Sequence, residues 1–161
     1  HPFAHGKWLF MHNGQIGGYD RVRRRLEGLI DDRYYCHRVG TTDSELIFYL
    51  LLSEGLDQDP MGALTRTIGK IEQLARAAAV NEPFKFTSVL SNGERIYAVR
   101  HSSDAAPPTL FHRQRDDHFM VVSEPLDEDE DCEAWREVPA GHVLVIEKRG
   151  KLDIAPFVPG I

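Results

Sequence analysis

The spacing of apolar residues changes period along this chain and divides it into helical and extended parts. Lys7 to Met11, with Trp8-Leu9-Phe10-Met11 unbroken, predicts a buried strand. The polar stretch His12 to Gly18 contains Asn13-Gly14 and Gly17-Gly18, which are expected to break it. A helix then begins at Tyr19 or Asp20. Val22, Leu26, Leu29 and Ile30 form its apolar stripe, arginines take the other face, and Asp31-Asp32 ends it.

Thr42-Asp43-Ser44-Glu45 is a capping-box pattern, with Thr42 as cap and Glu45 three residues on. It predicts a helix from Asp43 to about Glu54, apolar nearly all round and therefore buried, closed by Gly55. Asp59-Pro60 opens a third helix with Pro60 in the first helical position. Leu64, Ile68, Ile71, Ala75 and Ala78 give it one stripe, and it ends near Val80.

From Phe84 the period becomes two. Phe84 to Leu90 and Arg95 to Arg100 read as strands joined by a hairpin at Asn92-Gly93. Further short strands are expected at Thr109 to His112, His118 to Ser123, Trp135 to Val138, His142 to Glu147 and Lys151 to Ile154. The acidic run Asp127 to Asp131 reads as a solvated loop. One strand, three helices and a series of antiparallel strands indicate α+β rather than a parallel βαβ sheet.

Composition narrows the function classes. A chain of 161 residues, 42% apolar and 27% charged, suits a single folded domain over 1–161. A net charge of −6 disfavours nonspecific nucleic-acid binding. The longest purely apolar run, Leu46 to Leu52, is too short to span a bilayer. Two cysteines, Cys36 and Cys132, make no disulfide framework, so a reducing cytoplasm fits best. The chain opens His1-Pro2-Phe3 close to a core strand, which is expected of a fragment or a processed chain.

Two short motifs could carry chemistry. An Asn side-chain amide and the N–H of the following Gly can converge on one oxyanion, and the missing Cβ lets a substrate approach. Asn13-Gly14 could do this, or could be an ordinary turn. Asp43 could hold a substrate ammonium group, or could serve only to complement the positive end of its helix. Thr41 and Thr42 read first as caps. Eight histidines are present, with no ligand set at zinc spacing. Cys36-His37 could suggest a thiol–imidazole pair, but neighbours along a strand point opposite ways.

Phe10 to Gly14 and Thr42 to Leu52, taken together, resemble class II glutamine amidotransferases of the N-terminal-nucleophile hydrolase superfamily. They match that family in residue type, order and spacing. His1-Pro2-Phe3 is similar to the His-Pro element before its strand. Ser123-Glu124-Pro125-Leu126, Trp135 and Val138-Pro139-Ala140-Gly141-His142 are similar to its closing strands. Within that family the chain most resembles the stand-alone amidotransferase-like hydrolases, including those that cleave a γ-glutamyl amide in ergothioneine synthesis.

The resemblance implies a four-layer α/β/β/α sandwich built on two antiparallel sheets. It implies hydrolysis of glutamine or a γ-glutamyl amide, with Asn13 and Gly14 as oxyanion donors and Asp43 and Thr42 on the substrate. No metal or organic cofactor is implied. The family nucleophile is an N-terminal cysteine assisted by its own α-amine. Residue one here is His1, and Cys36 and Cys132 are internal, so the resemblance puts the thiolate outside this chain. The family's carboxylate-clamping arginine also precedes the His-Pro element, and Arg21, Arg23, Arg24 and Arg25 read as a solvated helix face. The expected partners are a small-molecule substrate and the missing N-terminal segment or another copy of the chain, with no nucleic acid and no membrane. The rival readings are a noncatalytic glutamyl-ligand or protein-binding domain of the same fold, and a domain feeding ammonia to a fused synthase.

Overall fold

The computed structural model describes residues 1–115, 118–126 and 135–160. The acidic run 127–131 and Cys132 lie outside the described residues. Nine strands and four helices occur among those described, and the chain gathers into two compact units.

The first unit comprises His1–Gly14 and Lys85–Phe157. Its larger sheet is antiparallel where registers are defined. In spatial order it runs β1 (Phe3–His5), β2 (Trp8–Gln15), β3 (Lys85–Ser91), β4 (Arg95–Ser102), β8 (His142–Glu147) and β9 (Leu152–Pro156). A smaller antiparallel sheet is ordered β6 (His118–Val122), β5 (Phe111–Arg115), β7 (Arg136–Glu137). Alternation along the strands sorts the side chains by face. Val89, Ile96, Ala98, Leu144, Ile146 and Leu152 from the larger sheet pack against Leu110, Phe119, Val121 and Val138 from the smaller one and its flanks. The opposite face of the larger sheet carries an aromatic row. Trp8 meets Tyr97 at 6.3 Å, and Phe10 meets Phe86 at 6.5 Å between ring centroids.

Arg100 joins the two sheets through polar contacts. From β4 its guanidinium donates to the Pro108 carbonyl at 3.0 Å, the Val138 carbonyl at 2.7 Å and the Glu137 carboxylate at 2.7 Å. Thr87 Oγ1 donates to the same Pro108 carbonyl at 2.9 Å. A buried cation is tolerated because it meets carbonyls and a carboxylate at once.

The second unit comprises Gln15–Phe84 and Val158–Ile161 and holds all four helices. They are α1 (Tyr19–Glu27), α2 (Asp32–Tyr35), α3 (Asp43–Ser53) and α4 (Pro60–Ala77). Every residue from Ser44 to Leu52 is buried, as an all-apolar helix surface requires. Each fully buried Leu, Ile or Phe there contributes about 1.5–3 kcal/mol relative to an exposed one. α1 and α4 pack against α3 and each other, burying Val22, Leu26, Leu64, Ile68 and Ile71. Asp59 caps α4 by accepting the Gly62 N–H at 2.9 Å. No helix among the described residues is long and apolar enough to cross a membrane.

Several expectations need correction. Asn13-Gly14 does not break the first strand; β2 runs through it to Gln15. A three-residue strand, β1, precedes it, and a one-turn helix, α2, follows α1. The capping box is half made. Thr42 Oγ1 accepts the Glu45 N–H at 3.3 Å, but the Glu45 carboxylate turns to the Val39 N–H at 3.0 Å. Arg21 is not merely solvated: it donates to the Ala78 and Ala79 carbonyls at 2.6 and 3.3 Å, where α4 ends. In the β3–β4 hairpin the two loop residues are Gly93-Glu94, with Asn92 paired to Arg95. Gly93 has φ +83°, which the first loop position of such a turn demands.

Candidate active site

The end of β2 carries two residue sets facing opposite ways. Trp8, Phe10 and His12 point to the buried face; Leu9, Met11 and Asn13 point to the open one. Asn13 is exposed and borders a cavity of about 500 Å³ in the first unit. Met11, Val89, Leu110 and Val121 form its apolar wall, and Ser123 to Leu126 form part of its rim. A carboxamide presented from a rigid strand into such a concavity is well placed to donate to a bound carbonyl oxygen.

Gly14 follows at φ +151°, a conformation that side chains rarely adopt. A Cβ on it would be driven into the Lys85 carbonyl oxygen and would stand 2.9 Å from His12 Nε2. Only glycine fits there. The requirement is therefore a close approach of two strands, not a turn.

His12 is 7% exposed. Its ring lies 5.3 Å from the Phe86 ring and 6.2 Å from that of Phe10. Nε2 is 3.2 Å from the Lys85 carbonyl oxygen, which fixes Nε2–H as the donor. The Lys85 side chain is itself held. Nζ donates to both Asp104 oxygens, at 2.9 and 2.7 Å, and to the Ala106 carbonyl at 2.6 Å. The Lys85 ammonium and the Ser102 hydroxyl hold the Asp104 carboxyl far below the usual carboxylate range.

Thr42 and Asp43 stand at the start of α3, in the second unit. Asp43 is half-buried. One oxygen accepts the Ile16 N–H at 2.8 Å and the other accepts the Ser44 N–H at 2.8 Å. An ionised carboxylate has about four acceptor positions, so capacity remains for a further donor. The Thr42 hydroxyl is occupied as the helix cap, and the Thr42 carbonyl lies 3.5 Å from the Tyr19 hydroxyl. The structure thus brings Asn13 together with Gly14, and Thr42 together with Asp43. Ile16, two residues past Gly14 in the chain, is the residue that Asp43 holds.

A buried ion cluster behind α3 escaped the sequence reading. The Arg38 side chain is buried, pairs with Glu27 and has Nε 3.8 Å from a Glu45 oxygen. The Arg38 and Arg23 guanidiniums hold the Glu27 carboxyl below its ordinary value. Tyr49 Oη donates to the His37 carbonyl at 2.9 Å. Together these contacts tie down the loop that delivers Thr42 and Asp43. The sequence carries no pattern that marks Arg38 as buried, since an arginine between helices is most often solvated. Cys36 is free and exposed at the end of α2, with Sγ 3.6 Å from the Arg33 carbonyl. It sits in a helical turn rather than in a strand, so the alternation argument does not apply to Cys36-His37.

A profile of class II glutamine amidotransferases matches residues 1–111, more than half of the chain. The chain belongs to the class II glutamine amidotransferases. This amidotransferase domain is similar to the probable glutamine amidotransferase DUG3 of Saccharomyces cerevisiae. The two are 28% identical over 188 residues, covering 92% of this chain and 52% of the yeast protein. The chain thus spans about half the length of that relative. It is also similar to a glutamine aminotransferase class-II domain protein from Silicibacter pomeroyi, with a TM-score of 0.92 and 41% identity. That match covers all of this chain and 72% of the other. Glutamine phosphoribosylpyrophosphate amidotransferase of B. subtilis shares the fold, with a TM-score of 0.59 at 15% identity over 96% of this chain and 30% of the other. The α+β class with two antiparallel sheets is therefore that of the amidotransferase fold.

Proposed function

We propose that the full-length protein hydrolyses glutamine or a γ-glutamyl amide through an N-terminal cysteine thiolate that lies outside this chain. The thiolate attacks the amide carbonyl carbon and the carbonyl oxygen becomes an oxyanion. The Asn13 carboxamide and the Gly14 N–H donate to that oxyanion. The carbon–nitrogen bond then breaks, and the leaving amine takes the proton that the cysteine's α-amine received when the thiol became a thiolate. Water attacks the resulting thioester, releases the glutamyl acid and regenerates the thiol. Asp43 holds the substrate's α-ammonium, and Thr42 supports it by fixing the start of α3. No step calls for a metal or an organic cofactor.

The observation that carries this reading is the glycine-only approach of Gly14 to Lys85, beside an Asn13 that borders a cavity, in a chain of this family. The exposed free thiol of Cys36 suits a reducing cytoplasm, where we infer the reaction takes place.

The test is release of ammonia or free amine from glutamine and from γ-glutamyl amides by the full-length protein. Turnover is expected to disappear when the N-terminal cysteine becomes serine, and to persist in Cys36→Ser. The 161-residue chain alone is expected to be inactive. Turnover by this chain that is lost in Cys36→Ser would overturn the assignment. Binding of a glutamyl compound by the full-length protein without turnover would favour a noncatalytic domain of the same fold.

A further inference from the structure

We propose that His12 is a positioning residue for the oxyanion site: through the Lys85 carbonyl it fixes where the Gly14 N–H sits. The inference rests on the function proposed above and concerns a residue that is buried, yet lines the same cavity as Asn13.

Three observations place His12 in this role. Its imidazole and the Lys85 carbonyl oxygen are both within contact range of the space a Gly14 Cβ would occupy. Nε2–H donates to that carbonyl at 3.2 Å. The ring is wedged among Phe10 and Phe86, so its own position is set by packing. Lys85 is held from its other end by Asp104 and Ala106. The carbonyl is therefore located by two anchors, its own side chain and His12.

The electrostatic consequence follows from the carbonyl dipole. A carbonyl oxygen competes for nearby N–H donors, and the Lys85 oxygen crowds the Cβ position of Gly14, the residue whose N–H is to serve the oxyanion. Hydrogen bonding from Nε2–H neutralises part of the partial negative charge on the Lys85 oxygen. It also keeps that oxygen engaged on the His12 side. The benefit is greatest when negative charge develops, so it belongs to turnover more than to substrate affinity.

The test compares His12→Leu, which fills space without a donor, with His12→Gln, whose carboxamide can still donate to Lys85. In the full-length protein, kcat for glutamine hydrolysis should fall about tenfold or more in His12→Leu, with KM changed less than about threefold. His12→Gln should recover most of that loss. A second readout needs no turnover. The Gly14 amide resonance and its hydrogen-exchange rate should change in His12→Leu and return towards wild type in His12→Gln. Equal impairment of the two variants, or a Gly14 amide unmoved in His12→Leu, would overturn the inference. A wild-type protein that hydrolyses neither glutamine nor a γ-glutamyl amide would remove the proposed function instead, and the Gly14 amide would still decide whether His12 positions it.

Discussion

The Asp43 carboxylate spans two backbone N–H groups, that of Ile16 at 2.8 Å and that of Ser44 at 2.8 Å, one on each oxygen. Asp43→Asn can satisfy only one of them, because its NH2 group must face the other. Leaving a partly buried N–H against a donor costs about 1–3 kcal/mol, so the variant should be less stable by that amount in urea unfolding. The full-length variant should in addition bind substrates with a free α-amine more weakly than analogues lacking it. Equal weakening of both would make Asp43 a structural joint only.

Asn13→Ala and Gly14→Ala should fail in different ways. Asn13 is exposed, so its removal should leave the unfolding midpoint nearly unchanged while lowering kcat about 10²–10³-fold. Gly14→Ala forces a methyl group into the Lys85 carbonyl at φ +151° and should cost about 2–4 kcal/mol of stability as well as activity. Calorimetry on both variants separates the two effects. A Gly14→Ala protein as stable as wild type would show that the strands can part without penalty.

Arg100→Met keeps the aliphatic stem but takes the guanidinium from the Val138 carbonyl and from the Pro108 carbonyl, which keeps only Thr87 Oγ1. Glu137 is 51% exposed on its side chain and can turn to water, so no charge is stranded. The expected loss is about 2–4 kcal/mol, read as a lower urea midpoint.

His112 gives stability a defined pH dependence. It is buried, and burial first, then the charge of Arg136, push its imidazole below the ordinary value of 6.5. As pH falls through 6.5 the unfolded chain takes up a proton that the folded form resists. Stability contributed by this site is therefore full above 6.5, falls as pH drops towards the lower folded value, and levels off beneath it. Urea midpoints measured from about pH 8 to about pH 5 should show a steeper decline for wild type than for His112→Gln. Parallel curves would refute this.

Much of the chain was legible where local rules suffice. Thr42 to Gly55 announced α3, because cap, apolar surface and terminating glycine all lie within one segment. Asp59-Pro60 announced α4 for the same reason. The hairpin after Ser91 followed from its turn residues, although the loop proper sits one residue later than Asn92-Gly93. β1 and α2 were missed because three or four residues carry too little pattern to rise above a loop. The candidate site was half legible. Asn13, Gly14, Thr42 and Asp43 could be named, but the reason Gly14 is glycine could not. That reason is the Lys85 carbonyl, and His12 and Lys85 are 73 residues apart. The burial of Arg38 was obscure for a related reason, since it depends on the loop before α3 folding back so that Arg38 meets both Glu45 of α3 and Glu27 of α1.

The approach of Gly14 to Lys85 also acts as an index mark for the sheet. β2 and β3 come from distant parts of the chain, so no tight turn sets their offset. A slip of one residue would turn Asn13 from the open face to the closed one. A slip of two would put a Cβ-bearing residue, His12 or Ile16, where the Lys85 oxygen leaves room only for hydrogen. Mispaired sheets are thus rejected by collision during folding, before any substrate is met. One missing methyl group proofreads the strand alignment on which the site's geometry depends.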